Sequence, residues 1–187
     1  MSTQPHTGRL IAVVGPSGVG KDSVMEAVAK ADPNFALVRR VITRAPEAGG
    51  EGYDAVSEAE FARLVEADAF CLHWNAHGLR YGIPVSIKDK LNSGQNLLVN
   101  LSRSVLTQAD EAFPRFSVLN LTARPETLAA RVLARGRESA EDVAKRLSRQ
   151  VPALPPQLDI VTVNNDGALS ETVQSVLSAL SSETERV

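Results

Sequence analysis

The chain has 187 residues, with 20 Lys+Arg against 22 Asp+Glu, 43% hydrophobic residues and a single cysteine. At roughly 150 residues per domain that length fits one domain, taken as 1–187, and excludes two full ones. The near-neutral charge gives no general pull toward nucleic acid or anionic lipid, and Cys71 alone rules out an internal disulfide framework. No apolar run approaches the roughly 20 residues of a membrane span, so a soluble, cytoplasmic protein is expected.

Residues 1–8 are polar and aperiodic and are expected to fray. Leu10–Val14 reads as a buried strand and Lys21–Ala31 as a helix with Val24, Val28 and Ala31 at core spacing. Between them lies Gly15-Pro16-Ser17-Gly18-Val19-Gly20-Lys21-Asp22-Ser23, a Gly-x-x-x-x-Gly-Lys run in the strand–loop–helix setting of a phosphate-binding loop. Glycines let such a loop curl so that successive N–H groups face phosphate oxygens, and the helix N-terminus adds partial positive charge. Lys21 is then placed to reach the outer phosphates of a nucleoside triphosphate. The position after the lysine, commonly Ser or Thr, is Asp22. Its carboxylate either helps to hold Mg²⁺ or simply complements the helix N-terminus.

Phe35–Val38 and Val41–Thr43 are short extended segments, and Thr43–Tyr53 is a loop rich in Gly and Pro. Ser57-Glu-Ala-Glu60 forms a capping-box pattern opening a helix to about Ala67, with Phe61, Leu64 and Val65 on one face. Ala69–Trp74 and Leu79–Tyr81 are expected to pair, and Pro84 suits the first turn of a helix running to Leu91. A strand over Asn96–Leu101 precedes a helix over 103–112, and a strand over Phe116–Leu121 precedes a helix from Pro125 to Arg135-Gly136. Ser139-Ala-Glu-Asp142 caps a further helix to about Val151, and Ile160–Val163 is a last short strand. Leu169, Val173, Val176, Leu177 and Leu180 mark the buried stripe of a closing helix. Asn164-Asn165-Asp166-Gly167 reads as a plain turn. The alternation of strands and helices predicts an α/β fold with a mainly parallel sheet covered on both faces.

Of the 20 basic residues, 15 are Arg, whose planar fork grips phosphate or carboxylate oxygens in pairs. Arg39-Arg40-Val-Ile-Thr43-Arg44, Tyr53 and Tyr81-Gly82 form one constellation, and Arg131, Arg135, Arg137, Arg146 and Arg149 another. With the phosphate-loop motif, these segments resemble the guanylate-kinase-like group of P-loop kinases, from about Leu10 to Leu180. The resemblance implies a three-layer α/β/α kinase domain with an acceptor-binding insertion over about 34–95 and a lid over about 135–150. It implies that Gly15 through Ser23 bind ATP, that Arg44, Tyr53 and Tyr81 hold an acceptor phosphate, and that Arg135 and Arg146 act with Lys21 on the moving phosphoryl group. It also makes an adenine contact at Asn164–Gly167 as good a reading as a plain turn.

The sequence departs from that group where a purine would be read. Guanylate kinases present a Glu before an aromatic residue; here His73 stands before Trp74. Their pair of aspartates after the next strand is replaced by Asn100 and Ser102, a serine of their phosphate segment by Arg40, and a second phosphate arginine by Glu47. Guanine N–H donors need carboxylate acceptors, and a buried donor left unpaired costs about 1–3 kcal/mol. A phosphate grip is kept while the base-reading groups are lost. That combination is similar to the ribose 1,5-bisphosphate phosphokinases, a branch of the same group. The similarity implies phosphoryl transfer from ATP, with Mg²⁺, onto a phosphorylated sugar rather than a nucleic acid or membrane partner. Arg40 and Arg103 are then expected as further ligands of a second sugar phosphate, by charge and position. Cys71, His73 and Trp74 are expected to pack beneath the acceptor loop rather than to take part in the chemistry. A nucleoside monophosphate kinase and a non-catalytic binding module are the rival readings.

Overall fold

A computed structural model describes residues 7–45, 52–134, 141 and 153–184. Strand β1 (Leu10–Val14) is apolar and buried at every position, as a strand covered on both faces must be. It lies at the centre of a five-stranded parallel sheet with β2 (Phe35–Leu37), β7 (Asn96–Asn100), β8 (Phe116–Thr122) and β9 (Ile160–Asn164), ordered β2-β7-β1-β8-β9. The chain leaves β1 toward β2 and β7 on one side and later returns on the other as β8. The carboxyl end of β1 is therefore the point where the winding reverses, which is where open α/β sheets bind ligands.

Side-chain alternation in β1 divides the core. Ile11 and Val13 pack with Val24 and Val28 of α1 (Lys21–Ala31), Leu128 of α5 (Pro125–Ala134), and Val176 and Leu180 of α6 (Leu169–Thr184). Leu10, Ala12 and Val14 face the opposite layer, built from Ile87 and Leu91 of α3 (Ile87–Asn92) and Leu106, Ala109 and Phe113 around α4 (Leu106–Ala112). The three-layer α/β/α arrangement expected from the sequence is present. No helix among the described residues is long and apolar enough to cross a membrane.

A second, four-stranded sheet stands against that second layer, ordered β4-β3-β6-β5 from β4 (Tyr53–Ala55), β3 (Arg40–Ile42), β6 (Leu79–Pro84) and β5 (Phe70–Ala76). β5 and β6 form an antiparallel hairpin, as expected, and β3 runs antiparallel to β6 but parallel to β4. Its outer face is covered by α2 (Glu58–Glu66), whose Phe61 is fully buried and stacks near Phe70. The Ser57 hydroxyl accepts from the Glu60 N–H at 3.1 Å, capping α2 where the sequence places its start.

Four local readings change. Tyr53–Ala55 is a strand rather than the end of a loop, because three residues are too short to reveal a period of two. Pro84 closes β6 opposite Phe70, and the helix starts three residues later at Ile87. The helix over 103–112 opens with a 3₁₀ turn, Arg103–Val105. Leu169 is 41% exposed, since the first turn of α6 overhangs the core that Val173, Val176 and Leu180 enter. The helix expected from Ser139 to Val151 lies outside the described residues, apart from Glu141.

Candidate active site

The loop Gly15–Gly20 leaves the buried end of β1 and turns directly into α1. Gly18 and Gly20 hold φ of 84° and 92°, where an L side chain is strained. Space also requires glycine there. A Cβ at Gly18 would stand 2.7 Å from Val132 Cγ2, and one at Gly20 would stand 3.0 Å from Asn165 Nδ2. Val19 between them is fully buried and serves as the apolar anchor of the loop. The N-cap of α1 is Gly20, which has no side chain to cap the helix, and the helix N-terminus lies directly at the end of the loop. Lys21 Nζ donates to the Gly15 and Pro16 carbonyls at 2.9 and 3.4 Å, which tethers the ammonium to the loop it follows. Asp22 and Ser23 are exposed in the first turn.

The acceptor half is built by strand register. Arg40 lies opposite Tyr53, Ile42 opposite Tyr81, and Tyr81 opposite Trp74. Residues directly opposite, or two apart along a strand, share a face. Arg40, Tyr53, Tyr81 and Trp74 therefore share the face turned toward the main sheet, together with Ile42, Leu72 and Ile83. None of these residues is acidic. The Trp74 and Tyr81 rings stack at 5.2 Å and 10°, and the Arg40 guanidinium lies 5.5 Å from the Tyr81 centroid. Burial lowers the Arg40 pKa from its ordinary value; Asp22 and Tyr81 pull it back upward, and Arg44 adds to the depression. Those couplings place Arg40 within electrostatic reach of both the phosphate-loop helix and Arg44. The Tyr53 hydroxyl is buried and meets no hydrogen-bond partner among the described residues. Such a donor costs free energy unless something else satisfies it.

Arg39 goes the other way. It binds Asp54 at 2.7 Å and the Tyr53 carbonyl at 3.1 Å on the outer face of the sheet. His73 is exposed on that same outer face, 6.4 Å from the Phe70 ring, whereas Trp74 is buried. The Cys71 thiol donates to the Ile83 carbonyl at 3.4 Å, and burial pushes its pKa up. At the end of the main sheet, Arg103 donates to Asn120 Oδ1 at 3.5 Å, and burial lowers its pKa. Asn120 pairs with Val14 and Asn100 with Val13, so Arg103 and Asn100 lie near the strand that feeds the phosphate loop. The Ser102 hydroxyl bonds Ser104 Oγ at 2.9 Å.

Of the residues singled out in the sequence, Arg40 thus lies within electrostatic reach of Asp22, Arg44 and Tyr81, with Tyr53 beside it in the ladder, while Lys21 is held on the phosphate loop. Arg135 and Arg146 lie outside the described residues, as do Glu47, Arg137 and Arg149. Arg131 points back to the loop, donating to the Val19 carbonyl at 3.4 Å. Of Asn164–Gly167, Asn164 and Asp166 form a turn, with the Asp166 N–H on Asn164 Oδ1 at 3.0 Å. The Thr127 hydroxyl, then the Arg124 backbone N–H and the Asn164 amide, hold the Asp166 carboxylate and lower its pKa from 3.8 to about 2. The sequence names Asn165 only as part of this turn or of an adenine contact; it does not reveal that its side chain is buried against the phosphate loop.

A Gly-rich loop and lysine at the reversal point of a parallel sheet, facing an arginine-bearing insertion, define a P-loop phosphotransferase. The guanylate kinase family model matches residues 7–183. The ribose 1,5-bisphosphate phosphokinase PhnN of Ruegeria sp. (strain TM1040) is 57% identical over 182 residues, 97% of this chain and 96% of that protein. The protein of the same name from Agrobacterium fabrum is 44% identical over 174 residues, 91% of this chain and 95% of that one. Guanylate kinase from Anaplasma phagocytophilum shares the fold, with a TM-score of 0.70 at 21% identity over 95% of this chain and 87% of its own. The chain belongs to the guanylate kinase family, in the branch of the ribose 1,5-bisphosphate phosphokinases.

Proposed function

We propose that the chain transfers the γ-phosphoryl group of ATP to the anomeric phosphate of ribose 1,5-bisphosphate, giving 5-phosphoribosyl 1-diphosphate and ADP. The observation that carries the reading is the acceptor face. Its ladder positions supply an arginine and two tyrosines but no carboxylate, a set suited to phosphate oxygens and unsuited to guanine N–H donors. Membership of the ribose 1,5-bisphosphate phosphokinase branch supports the same choice of acceptor.

The acceptor oxygen belongs to a phosphate with a second pKa near 6, so it is already largely dianionic at pH 7 and needs no protein base. It forms a bond to the γ-phosphorus as the bond to the β–γ bridging oxygen breaks, and ADP leaves with that electron pair. The obstacle is the mutual repulsion of two polyanions held in line. Loop N–H groups and Lys21 hold the donor; Arg40, Arg44, Tyr53 and Tyr81 hold the acceptor, with Arg103 for its second phosphate. Arg135 and Arg146 are assigned to the migrating group, where arginines are worth about 10³–10⁵ in rate. Pre-set positive charge of this kind lowers a barrier because it needs no reorganisation during the reaction.

Asp22 suits Mg²⁺, since one exposed carboxylate beside the loop together with phosphate oxygens and water completes a hard-cation site. The ion, when bound, screens phosphate charge. Asp22 also faces the charge of Arg40, so it has a role in holding the two half-sites in balance. Dependence on ATP and a lone unpaired thiol favour a cytoplasmic setting.

The test is an assay for 5-phosphoribosyl 1-diphosphate with ribose 1,5-bisphosphate as acceptor, run beside a panel of nucleoside monophosphates. Product from the sugar and little turnover of GMP is expected; efficient GMP turnover overturns the reading. Titration with ATP and Mg²⁺ separates an enzyme from a binding module, which would give no heat that Lys21→Ala abolishes.

A further inference from the structure

We infer that Asn165 is a positioning residue for ATP, acting by fixing the Val19–Gly20 peptide of the phosphate loop. Its Nδ2 donates to the Val19 carbonyl at 2.7 Å, a buried bond across 146 residues of sequence. Its Oδ1 accepts from the Thr172 hydroxyl at 2.6 Å, and its own N–H donates to the Thr122 carbonyl at 2.7 Å. Asn165 and Thr172 are 5% and 3% exposed. The side-chain amide is therefore held by the loop and by α6, and the Asn165 backbone by β8.

The consequence follows from peptide geometry. In a trans peptide the C=O and the next N–H point in opposite directions. Pinning the Val19 carbonyl inward to Asn165 therefore turns the Gly20 N–H outward, into the loop's own concavity. Without that anchor the plane is easily rotated, because Gly20 has no side chain and tolerates positive φ. The Val19 N–H is separately committed to the Pro16 carbonyl at 3.2 Å, so both ends of residue 19 are fixed by different partners. Arg131 adds a longer, 3.4 Å donor to the same carbonyl. Asn165 touches no substrate in this scheme and acts only through the loop.

The inference rests on the donor role of the loop, and its test is read on ATP rather than on the acceptor. In Asn165→Leu, ATP affinity by titration is expected to fall about tenfold or more, with the KM for ribose 1,5-bisphosphate unchanged. Asn165→Asp keeps the shape but, ionised, presents no donor to the Val19 carbonyl. Burial beside a carbonyl raises such a carboxyl's pKa, so protonation restores a donor. The ratio of variant to native ATP affinity should then be low at about pH 8 and recover toward unity at about pH 5.5. Thr172→Val, which frees the Asn165 carbonyl oxygen, should give a smaller loss of the same kind. A ratio flat with pH, or equal losses in ATP and acceptor KM that track melting temperature, overturns the inference. If the native chain itself fails to bind ATP, the functional reading fails instead.

Discussion

The proposed donor half is one uninterrupted run of chain, Gly15 to Ser23, which would bind mostly through backbone N–H groups. The proposed acceptor half draws Arg40, Tyr53 and Tyr81 from three strands and would bind through side chains aligned by register. Backbone donors are insensitive to most substitutions outside the glycines, so such a donor loop would hold any nucleoside triphosphate tail in the same way. Side-chain ligands can be exchanged one at a time. A kinase fold can therefore change its acceptor while leaving its donor untouched, and the replacement of base-reading carboxylates by neutral or basic residues fits that division.

The sharpest break in this comparison is expected at Lys21. Lys21→Ala should lower kcat/KM by about 10³ or more, with native circular dichroism and an unchanged acceptor KM. The acceptor side should respond differently. Arg40→Met removes a cation already disfavoured by burial, so melting temperature should hold or rise. The same change should raise the acceptor KM about 10- to 100-fold and leave ATP titration unaltered, given the strength of charge-assisted hydrogen bonds. Equal effects on ATP and sugar would dissolve the distinction between the two halves.

Tyr53→Phe sharpens it further. The buried hydroxyl has no partner among the described residues, so its loss should cost little stability. An acceptor KM raised by about three- to tenfold in initial-rate kinetics would assign that hydroxyl to substrate; no change would remove Tyr53 from the site. The smallest effect is expected in the turn behind the donor loop. Asp166 titrates near 2 when folded and near 3.8 when unfolded, so its ionised form is the one folding favours. That contribution is complete above about pH 4 and disappears as pH falls toward 2. Acid unfolding of Asp166→Asn should converge with that of the native chain at the bottom of this window and diverge above it.

The two halves also differed in how openly the sequence displayed them. The phosphate loop was legible because its spacing, its glycines and its flanking strand and helix are contiguous. The main sheet was legible for a similar reason, each strand being a short apolar run bounded by turn residues. Tyr53 was named as a ligand, but its strand was not recognised, since Tyr53–Ala55 exists only through pairing with β3. Arg39 and Arg40 are neighbours of identical chemistry, and only the alternation of β3 sends one to Asp54 outside and the other toward the cleft. His73 stands at the place of a purine-reading Glu and is expected, with Trp74, to pack beneath the acceptor loop, yet the same alternation turns it, exposed, to the outer face. Asn165 was legible only as part of a turn or an adenine contact; its bond to Val19 was not, because the two are brought close only by the closing of β9 against β8.

Trp74 is the single tryptophan of the chain, and it lies buried, stacked on Tyr81, whose ring the Arg40 guanidinium overlies. The molecule thus carries a native fluorophore inside one half-site and none in the other. Emission excited at the red edge of the indole band should shift when an anion draws the Arg40 guanidinium off the Tyr81 ring, and should stay still when the nucleotide tail alone is engaged. Sugar occupancy can then be followed optically in stopped flow, without labels and separately from turnover.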